Sequence, residues 1–235
     1  MFRFKQFALQ QDRCAMKVCT DACVLGAWAN LGCAQSILDI GTGTGLLALM
    51  AAQRTASTSE IEAIEIEHLA FEQATENVGN SPFWAKIKVR NAAVQGFSPQ
   101  HAGFDYIVCN PPFYENQLPT ANAAANQAHH SASLKHHELA EAVARLLNPD
   151  GTLGVLLPPA QSEAFELKAA RVGLHPKRIL FLKHNASKPV FRVLSEYCFG
   201  KTLEKTTETL DIYNTEHPDY TPAFRLLLKD FYLIF

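Results

Sequence analysis

The stretch from residue 37 to residue 52 constrains the fold more than any other part of the chain. A short apolar run, Ile37-Leu38-Asp39-Ile40, is followed by a pentapeptide with glycine at alternate positions and then by an apolar run that suits a helix. A strand, a tight turn and a helix in this order begin a βαβ unit, and such units build parallel sheets. Glycine permits the turn and lets the backbone approach a ligand, and the following helix amino end favours polar or anionic groups.

The spacing of these glycines argues against a dinucleotide site. Gly41, Gly43 and Gly45 give the pattern G-x-G-x-G, and Leu46 stands where a dinucleotide fingerprint asks for glycine or alanine. Binding of a nicotinamide or flavin dinucleotide is therefore disfavoured. A glycine-rich turn alone is also compatible with any tight connection between a strand and a helix.

A carboxylate follows near the end of the second predicted strand. Glu65, in the apolar run 61–66, lies 24 residues after Gly41. An acidic residue roughly 20 residues after the glycine turn can accept hydrogen bonds from the hydroxyls of a ribose. The alternative is a solvated charge beside Glu62 and Glu67. Strand, turn, helix, strand and acid in this order are more specific than any one of them.

A strand that stops abruptly predicts the second part of the site. Residues 104–109 are mostly apolar or aromatic, and Asn110-Pro111-Pro112-Phe113 follows them directly. Neither proline can donate to a sheet ladder, and each restricts the residue before it to extended geometry. An amide side chain, free carbonyls and an aromatic ring should therefore converge, as a site for a planar amino group requires. The alternative is a rigid turn with Phe113 packed in the core.

Strands and helices alternate along the chain, with no repeat or linker. Predicted strands lie near 36–40, 61–66, 85–90, 104–109, 152–157, 176–183 and 190–199, and predicted helices near 20–32, 45–54, 68–79, 134–147 and 161–172. Asn148-Pro149-Asp150-Gly151 predicts a turn before the fifth strand. The alternation predicts a doubly wound parallel sheet with its ligands at the carboxyl ends of the strands. The short link from 184 to 190 allows only a hairpin, which makes one strand antiparallel.

Length and composition agree with one compact domain. The chain has 235 residues, of which 48% are hydrophobic, and can bury a substantial core. No apolar stretch approaches the roughly 20 residues that span a bilayer, and the first residues lack a secretory signal's apolar region. The six cysteines form no C-x-x-C pair, so free thiols in a reducing compartment are expected. We predict a single domain over 1–235 that is cytoplasmic and has no membrane partner, and we assume a monomer.

Paired histidines invite a metal interpretation that their context does not support. His129-His130 and His136-His137 are adjacent pairs, with His101 nearby. Adjacent histidines on a helix point apart, and no cysteine or carboxylate completes a plausible ligand set. We therefore predict no metal site.

Positive charge is clustered although the net charge of the chain is −2. Residues 168–205, here called the basic segment, contain nine basic and two acidic residues, a local charge of +7. The first 20 residues add four basic residues against one acid. Such clusters can neutralise nucleic-acid phosphates even on an acidic protein. The alternative is two ordinary solvated faces.

These motifs resemble those of the class I S-adenosylmethionine-dependent methyltransferases that modify exocyclic or amide nitrogens. The ends of the chain are similar to the bacterial valine-tRNA adenine N6-methyltransferases, which methylate the adenine on the 3′ side of the anticodon. The segments that carry this second resemblance are Phe4-Lys5-Gln6-Phe7, 11–18, Thr20-Asp21, 25–29, Tyr220-Thr221-Pro222 and 228–233. The resemblance covers nearly the whole chain.

The resemblance implies a Rossmann-like α/β fold with a doubly wound, seven-stranded, mostly parallel sheet whose last strand is antiparallel. It implies S-adenosyl-L-methionine as cofactor, tRNA as partner, and methyl transfer to N6 of adenine 37, with residues of about 1–33 covering the substrate and cofactor. The implied catalytic residues are Asn110, Pro111, Pro112 and Phe113. The implied cofactor-binding residues are Lys17, Thr20, Asp21, Asp39, Gly41, Thr42, Gly43, Gly45, Glu65, Ile66, Asn91, Ala93 and Asn110.

Three features depart from the family pattern: the residue at 93, Cys19 where relatives often have Gly, and the segment 122–133, which carries no Arg where relatives tend to have one. Relatives have an acid after the third strand that touches the adenine of the cofactor, whereas the run here is Arg90-Asn91-Ala92-Ala93-Val94. Ala93 stands in place of the aspartate, and Asn91 is the nearest polar side chain. Adenine binding is therefore expected from backbone groups or from Asn91.

Three other functions are compatible with these residues. A ribosomal RNA guanine-N2 methyltransferase would use the same Asn-Pro-Pro-Phe chemistry. A protein-glutamine N5-methyltransferase would also use it, although such enzymes more often carry Tyr at the position of Phe113. A non-catalytic module that binds RNA or the cofactor is the third, and the intact Asn110 argues against it. Assays on defined RNAs and the detection of one turnover separate these functions.

Overall fold

The computed structural model describes residues 1–100, 102–112, 134–200, 205–217 and 219–235. Phe113, His101 and the His129-His130 pair lie outside the described residues. All structural statements below concern the described ranges.

Strands and helices alternate through the centre of the chain, as predicted. The strands are β1 (Phe2–Arg3), β2 (Ala8–Leu9), β3 (Ser36–Ile40), β4 (Glu60–Glu65), β5 (Ile87–Asn91), β6 (Phe104–Cys109), β7 (Leu147–Leu157), β8 (Leu174–Lys183), β9 (Val190–Phe199) and β10 (Thr206–Asp211). The α-helices are α1 (Thr20–Trp28), α2 (Leu46–Arg54), α3 (His68–Gly79), α4 (His136–Leu146), α5 (Pro159–Arg171) and α6 (Pro222–Leu228).

The main sheet has the order β10-β8-β9-β7-β6-β3-β4-β5. Strand β9 is antiparallel to both β7 and β8, and the other pairs are parallel. The predicted mostly parallel α/β sheet with one antiparallel strand is therefore confirmed. The predicted count of seven is wrong, because β10 adds an eighth strand beside β8. Thr206–Asp211 has a single buried residue and no apolar alternation, so its sequence carries no strand signal.

Several predicted boundaries differ from the structure for local reasons. The turn predicted at 148–151 is a bulge inside β7, because Phe104 pairs with Leu147 and Tyr106 already pairs with Thr152. Helix α1 ends at Trp28 and not at Gly32. The short hairpin of β1 and β2 and the helix α6 were not predicted.

Two hydrophobic clusters cover the two faces of the sheet. Helices α1, α2 and α6 and both chain ends form one cluster, and α4 and α5 form the other. Helix α1 is buried along almost its whole length, so it lacks an exposed polar stripe. The chain ends cover it: the Lys5 N–H donates to the Phe231 carbonyl at 2.8 Å, and the Lys5 ammonium donates to the Phe235 carbonyl at 2.7 Å.

The topology brings the two predicted motifs together. Strands β3 and β6 are parallel neighbours, so the glycine turn after β3 and Asn110 after β6 meet at one edge of the sheet. We call this edge, where β3 to β8 end, the carboxyl edge, and the opposite one the amino edge. Strand β9 begins at the carboxyl edge because it runs against β8.

The fold divides the basic segment between the two edges. Lys168, Arg171, Lys177, Arg178 and Lys205 lie near the end of α5 or the starts of β8 and β10, at the amino edge, and Lys183, Lys188 and Arg192 lie at the carboxyl edge. A ten-residue strand such as β8 spans about 30 Å. The basic segment is therefore not one surface.

A buried polar network lies under β9 toward the amino edge. Glu196 is fully buried and accepts hydrogen bonds from the Tyr106 hydroxyl at 2.8 Å and the Asn30 N–H at 2.7 Å. Arg178 stacks on Trp28 at 4.1 Å and pairs with Glu208 at 2.9 Å. Burial and the adjacent Glu196 carboxylate raise the pKa of Tyr106 well above its ordinary value. Arg178 therefore contributes to the fold.

Replacing Tyr106 by Phe should lower the free energy of unfolding by about 1.5–3 kcal/mol, the range for a hydrogen bond to a charged group. The variant removes the 2.8 Å donor to the buried Glu196 carboxylate and keeps the ring packing. Urea denaturation measures the change, and the slope of the free energy against urea should stay constant. An unchanged unfolding midpoint would contradict the assigned hydrogen bond.

Candidate active site

A cavity of about 600 Å³ opens at the carboxyl edge of the sheet. Its walls come from the residues that follow β3, β4, β5 and β6, and from the entrance segment, defined here as residues 10–19. This volume is within the usual range for small-molecule sites. The cavity lies where doubly wound sheets bind their ligands.

The glycine turn forms the floor of the cavity. Gly41 and Gly43 have φ values of 69° and 56°, the left-handed region that favours glycine. The N–H groups of Gly41 and Thr42 donate to the Ile64 carbonyl at 2.9 and 3.0 Å. A Cβ placed on Gly43 would have no atom within 4 Å among the described residues, so the position faces open space. The turn is held from β4 and presents bare backbone to the cavity.

Glu65 is buried and oriented by backbone groups. Its carboxylate accepts hydrogen bonds from the Gly43 N–H at 2.9 Å and the Glu67 N–H at 3.0 Å. The residue is only 8% exposed and lines the cavity. A carboxylate oxygen that accepts one hydrogen bond can accept another, so Glu65 remains able to receive ligand hydroxyls. Glu65 is therefore a buried residue of the cavity lining and not a solvated charge.

Asp39 lies beneath the glycine turn and is fully buried. Its Oδ2 accepts from the Thr42 hydroxyl at 2.6 Å and the Ala48 N–H at 3.1 Å, whereas its buried Oδ1 has no partner among the described residues. Burial raises the pKa of Asp39 to about 7, although these two hydrogen bonds act to lower it. Asp39 does not line the cavity, and it orients the turn from below.

Replacing Asp39 by Asn should alter how stability depends on pH. An unfolded aspartate has a pKa near 3.9, while the folded value is about 7, so the folded protein binds more protons between these values. The native protein should therefore lose stability relative to the variant as the pH rises from about 4 to 7, by at most about 1.4 kcal/mol per pH unit. Urea denaturation of both proteins across this range measures the slope. A stability difference that stays constant with pH would contradict the raised pKa.

Asn110 and the two prolines form a second part of the cavity lining, beside the glycine turn. They follow β6 directly and line the cavity, with Pro111 buried and Pro112 exposed. The Asn110 Oδ1 atom is buried and accepts no hydrogen bond from any residue in the described ranges. Its Nδ2 atom lies 3.7 Å from the sulfur of Met16. An orphaned buried acceptor in a cavity is uncommon and indicates a place for a ligand donor.

The entrance segment is tied to the glycine turn through one buried side chain. Asn77, only 2% exposed, donates to the carbonyls of Thr44 at 2.8 Å and Gln10 at 2.9 Å. Its Oδ1 accepts from the Gln10 N–H at 2.8 Å. Arg13 pairs with Glu76 on the same helix. Sequence reasoning missed Asn77, because a single amide in a helix carries no signal of its tertiary partners.

The predicted cofactor residues divide into those that line the cavity and those that lie outside its wall. Lys17, Ile66 and Ala93 line it together with Gly41, Thr42, Gly43, Glu65 and Asn110. Among the described residues, Thr20, Asp21, Gly45 and Asn91 lie outside the cavity wall, as does Asp39.

Two of the residues outside the cavity wall, Asp21 and Asn91, are bonded to other parts of the protein. Asp21 pairs with the Arg192 guanidinium at 2.7 Å. Asn91 donates to the carbonyls of Glu65 at 2.7 Å and Ile66 at 3.1 Å, so it braces the turn after β4 from the neighbouring strand. The structure therefore favours positioning roles for both side chains.

Curated relatives with similar sequences extend over the whole chain. A tRNA1(Val) (adenine(37)-N6)-methyltransferase of Dyadobacter fermentans is 47% identical over 100% of this chain and 98% of its own length. Enzymes of the same description from Serratia proteamaculans and Trichodesmium erythraeum are 42% and 43% identical, over 100% and 99% of this chain and 90% and 97% of their own lengths. This chain belongs to the tRNA1(Val) (adenine(37)-N6)-methyltransferase family. The methyltransferase small domain model also matches, over residues 28–168. The predicted family is confirmed.

Solved structures give the same fold at low sequence identity. A predicted O-methyltransferase of Agrobacterium tumefaciens superposes with a TM-score of 0.66 at 19% identity, over 90% of this chain and 96% of its own. A SAM-dependent methyltransferase of Aquifex aeolicus gives a TM-score of 0.53 at 16% identity, over 76% of this chain and 88% of its own. At these identities the likeness establishes the methyltransferase fold alone.

Neither a membrane span nor a metal cluster occurs in the described part of the chain. Every helix there is too short or too polar to cross a bilayer. In the same ranges, no three His, Cys, Asp or Glu side chains group closely enough to hold a metal ion.

Proposed function

We propose that this protein transfers the methyl group of S-adenosylmethionine to the N6 amino group of adenine 37 in valine tRNA. The observation that carries the proposal is the buried, orphaned Oδ1 of Asn110 in a cavity that is also lined by the glycine turn. The names of relatives with up to 47% identity support the choice of substrate. The absence of a spanning helix in the described ranges is compatible with a cytoplasmic site of action.

The cavity residues fit the cofactor. The bare backbone at Gly41 and Gly43 accommodates close approach of a ligand, and Glu65 is oriented to accept hydrogen bonds from ribose hydroxyls. Ile66 is 54% exposed beside Ala93 and offers an apolar contact for the adenine ring. Lys17 lies in the entrance segment, where it would meet the amino-acid end. Bound in this way, S-adenosylmethionine supplies an electrophilic methyl group on a sulfonium.

Asn110 and Pro111 would activate the amino group of the target base. The lone pair of N6 is delocalised into the adenine ring, which makes N6 a poor nucleophile. If Asn110 Oδ1 and the Pro111 carbonyl accept its two N–H bonds, the nitrogen becomes more pyramidal and its lone pair is directed at the methyl group. Positive charge that grows on the nitrogen strengthens both hydrogen bonds, so the transition state is stabilised more than the ground state. By fixing the direction from which the nitrogen approaches, the same two acceptors would lower the barrier further. The new nitrogen–methyl bond would replace the methyl–sulfur bond, the demethylated cofactor would leave, and N6 would release one proton to solvent.

The remaining site assignments also belong to this proposal. Phe113, outside the described residues, would stack on an adenine that has left its loop stack. The entrance segment would act as a lid on the cofactor within a single domain of residues 1–235. The hydrogen bonds of Asn77 to Gln10 and Thr44 support that role.

Replacing Gly43 by Val should abolish binding of S-adenosylmethionine and of its demethylated product. A β-branched side chain at φ 56° is strained and fills the space that faces the cavity. Isothermal titration calorimetry measures binding, and circular dichroism checks the fold. Gly96→Val is the matched control, because a Cβ there also meets nothing within 4 Å and Gly96 does not line the cavity. Full affinity in Gly43→Val would contradict the cofactor assignment.

Replacing Asn110 by Ala should lower kcat by about 10²–10³, the usual loss for one transition-state donor or acceptor. Affinity for the cofactor should stay near the native value, because the amide acts on the incoming amino group. The assay uses tRNA from cells that lack the gene, with mass mapping of the modified nucleoside. Asn80→Ala, an exposed change at the end of α3, should retain activity.

The same assay separates the alternative functions. Methylation of ribosomal RNA or of a protein glutamine, with tRNA inert under the same conditions, would overturn the proposed substrate and leave methyl transfer standing. Unchanged turnover in Asn110→Ala would return Asn110 to a turn-forming role.

A further inference from the structure

The link between β8 and β9 carries a stacked pair of rings at the carboxyl edge. The imidazole of His184 lies 4.1 Å from the ring of Phe191, with an angle of 5° between the two planes. Phe191 packs against the hydrophobic cluster that contains α1, whereas His184 is exposed. One face of the imidazole is therefore covered by Phe191, and the residue presents its other side to solvent.

A β-bulge produces this arrangement. Leu182 pairs with Arg192 and Lys183 pairs with Val190, so Phe191 is the extra residue on β9. A bulge re-aims side chains that would otherwise alternate between faces, and bulges are enriched beside active sites. Here Phe191 and Arg192 lie together, with the guanidinium carbon 5.5 Å from the ring centre.

Arg192 connects the His184–Phe191 pair to the wall of the cavity. Its guanidinium bonds Asp21 at 2.7 Å in the first turn of α1, directly after Val18 and Cys19, which line the cavity. Strand β9 is two strands from β6 in the sheet, a lateral distance of about 10 Å from the strand that presents Asn110. At this distance, units of a polymer next to the one that enters the cavity can reach the surface around His184.

The charge of the surface suits a polyanion. Residues 183–192 contain three cations and no carboxylate. Lys188 is exposed, and none of the described residues accepts a hydrogen bond or ion pair from its ammonium. The Tyr213 N–H donates to the His184 carbonyl at 2.8 Å, and the stacked rings of Tyr213 and Tyr220 are half-buried against the hydrophobic cluster, so the exposed ring of this surface is that of His184.

We propose that His184 and Lys188 bind single-stranded RNA nucleotides that flank the target adenine. Stacking on exposed rings combined with a nearby cation is how proteins hold single strands without reading their sequence. A flipped base needs its neighbours held while it is out of the stack, and this surface lies beside the cavity. The proposal rests on the proposed function and adds to it the place where the RNA strand lies.

The test measures binding of a fluorescent anticodon stem–loop RNA by anisotropy over a range of salt concentrations. His184→Ala should weaken binding about tenfold, the loss typical of one stacked base. Lys188→Glu should also weaken binding and make the log–log salt slope shallower by roughly 0.7, one single-strand phosphate contact. Arg171→Glu is the matched control: it is the same charge reversal on an exposed residue at the amino edge. Affinity for S-adenosylmethionine should be equal in all four proteins.

The outcomes separate this inference from the proposed function, because methylation is scored independently of binding. Native affinity in both His184→Ala and Lys188→Glu overturns the surface assignment, even if the native protein methylates tRNA. An equal loss in Arg171→Glu also overturns it, because the effect would then reflect total charge. If the native protein binds the stem–loop and loses affinity as expected but methylates no tRNA, the surface stands and the proposed reaction fails.

Discussion

The site depends on a short chain of hydrogen bonds that crosses three neighbouring strands at the carboxyl edge. Buried Asp39, at the end of β3, holds Thr42 and the first turn of α2. The N–H groups of Gly41 and Thr42 donate to the Ile64 carbonyl, and the Gly43 N–H donates to Glu65 of β4. Asn91, at the end of β5, donates to the carbonyls of Glu65 and Ile66. Each partner fixes the next, so the backbone that faces the cavity is set before any ligand arrives, which is the condition for electrostatic preorganisation.

Among the described residues that line the cavity, Asn110 is the one whose buried side-chain acceptor lacks a donor; the buried Oδ1 of Asp39 also lacks one, but Asp39 does not line the cavity. Burying an amide oxygen without a donor costs free energy, so such an atom in a cavity wall indicates a place for a ligand donor. Pro111 and Pro112 contribute by removing two backbone donors that could otherwise have satisfied it. The unpaired oxygen and the open space at Gly43 belong to one cavity. In the proposed function the two have different tasks: Gly43 admits the cofactor and Asn110 acts on the nucleophile.

The parts predicted well from sequence are those whose signal is local. The glycine turn, Glu65 and the Asn-Pro-Pro run each follow a strand, and the order of strands in a doubly wound sheet brings them together. What escaped prediction depends on tertiary contacts: β10 lacks apolar alternation and is defined by its pairing with β8, and Asn77 is defined by partners 67 and 33 residues away. The basic segment is continuous in sequence, but the hairpin of β8 and β9 places its middle at the carboxyl edge and both of its ends at the amino edge. The sequence does not show that Asp21 is already paired, because its partner Arg192 lies 171 residues later in the chain.

The entrance segment has both of its ends anchored. Before it, the β1–β2 hairpin is held by hydrogen bonds from Lys5 to Phe231 and Phe235. After it, α1 is buried under the chain ends and tied to β9 through Asp21 and Arg192. A segment that is fixed at both ends cannot move away from the cavity as a free chain end could. Any movement of the segment is therefore a bowing of a closed loop, which the contacts of Asn77 to Gln10 and of Arg13 to Glu76 resist. The carboxyl-terminal residues do not line the cavity, yet by holding Lys5 and covering α1 they fix the two ends of a segment that does.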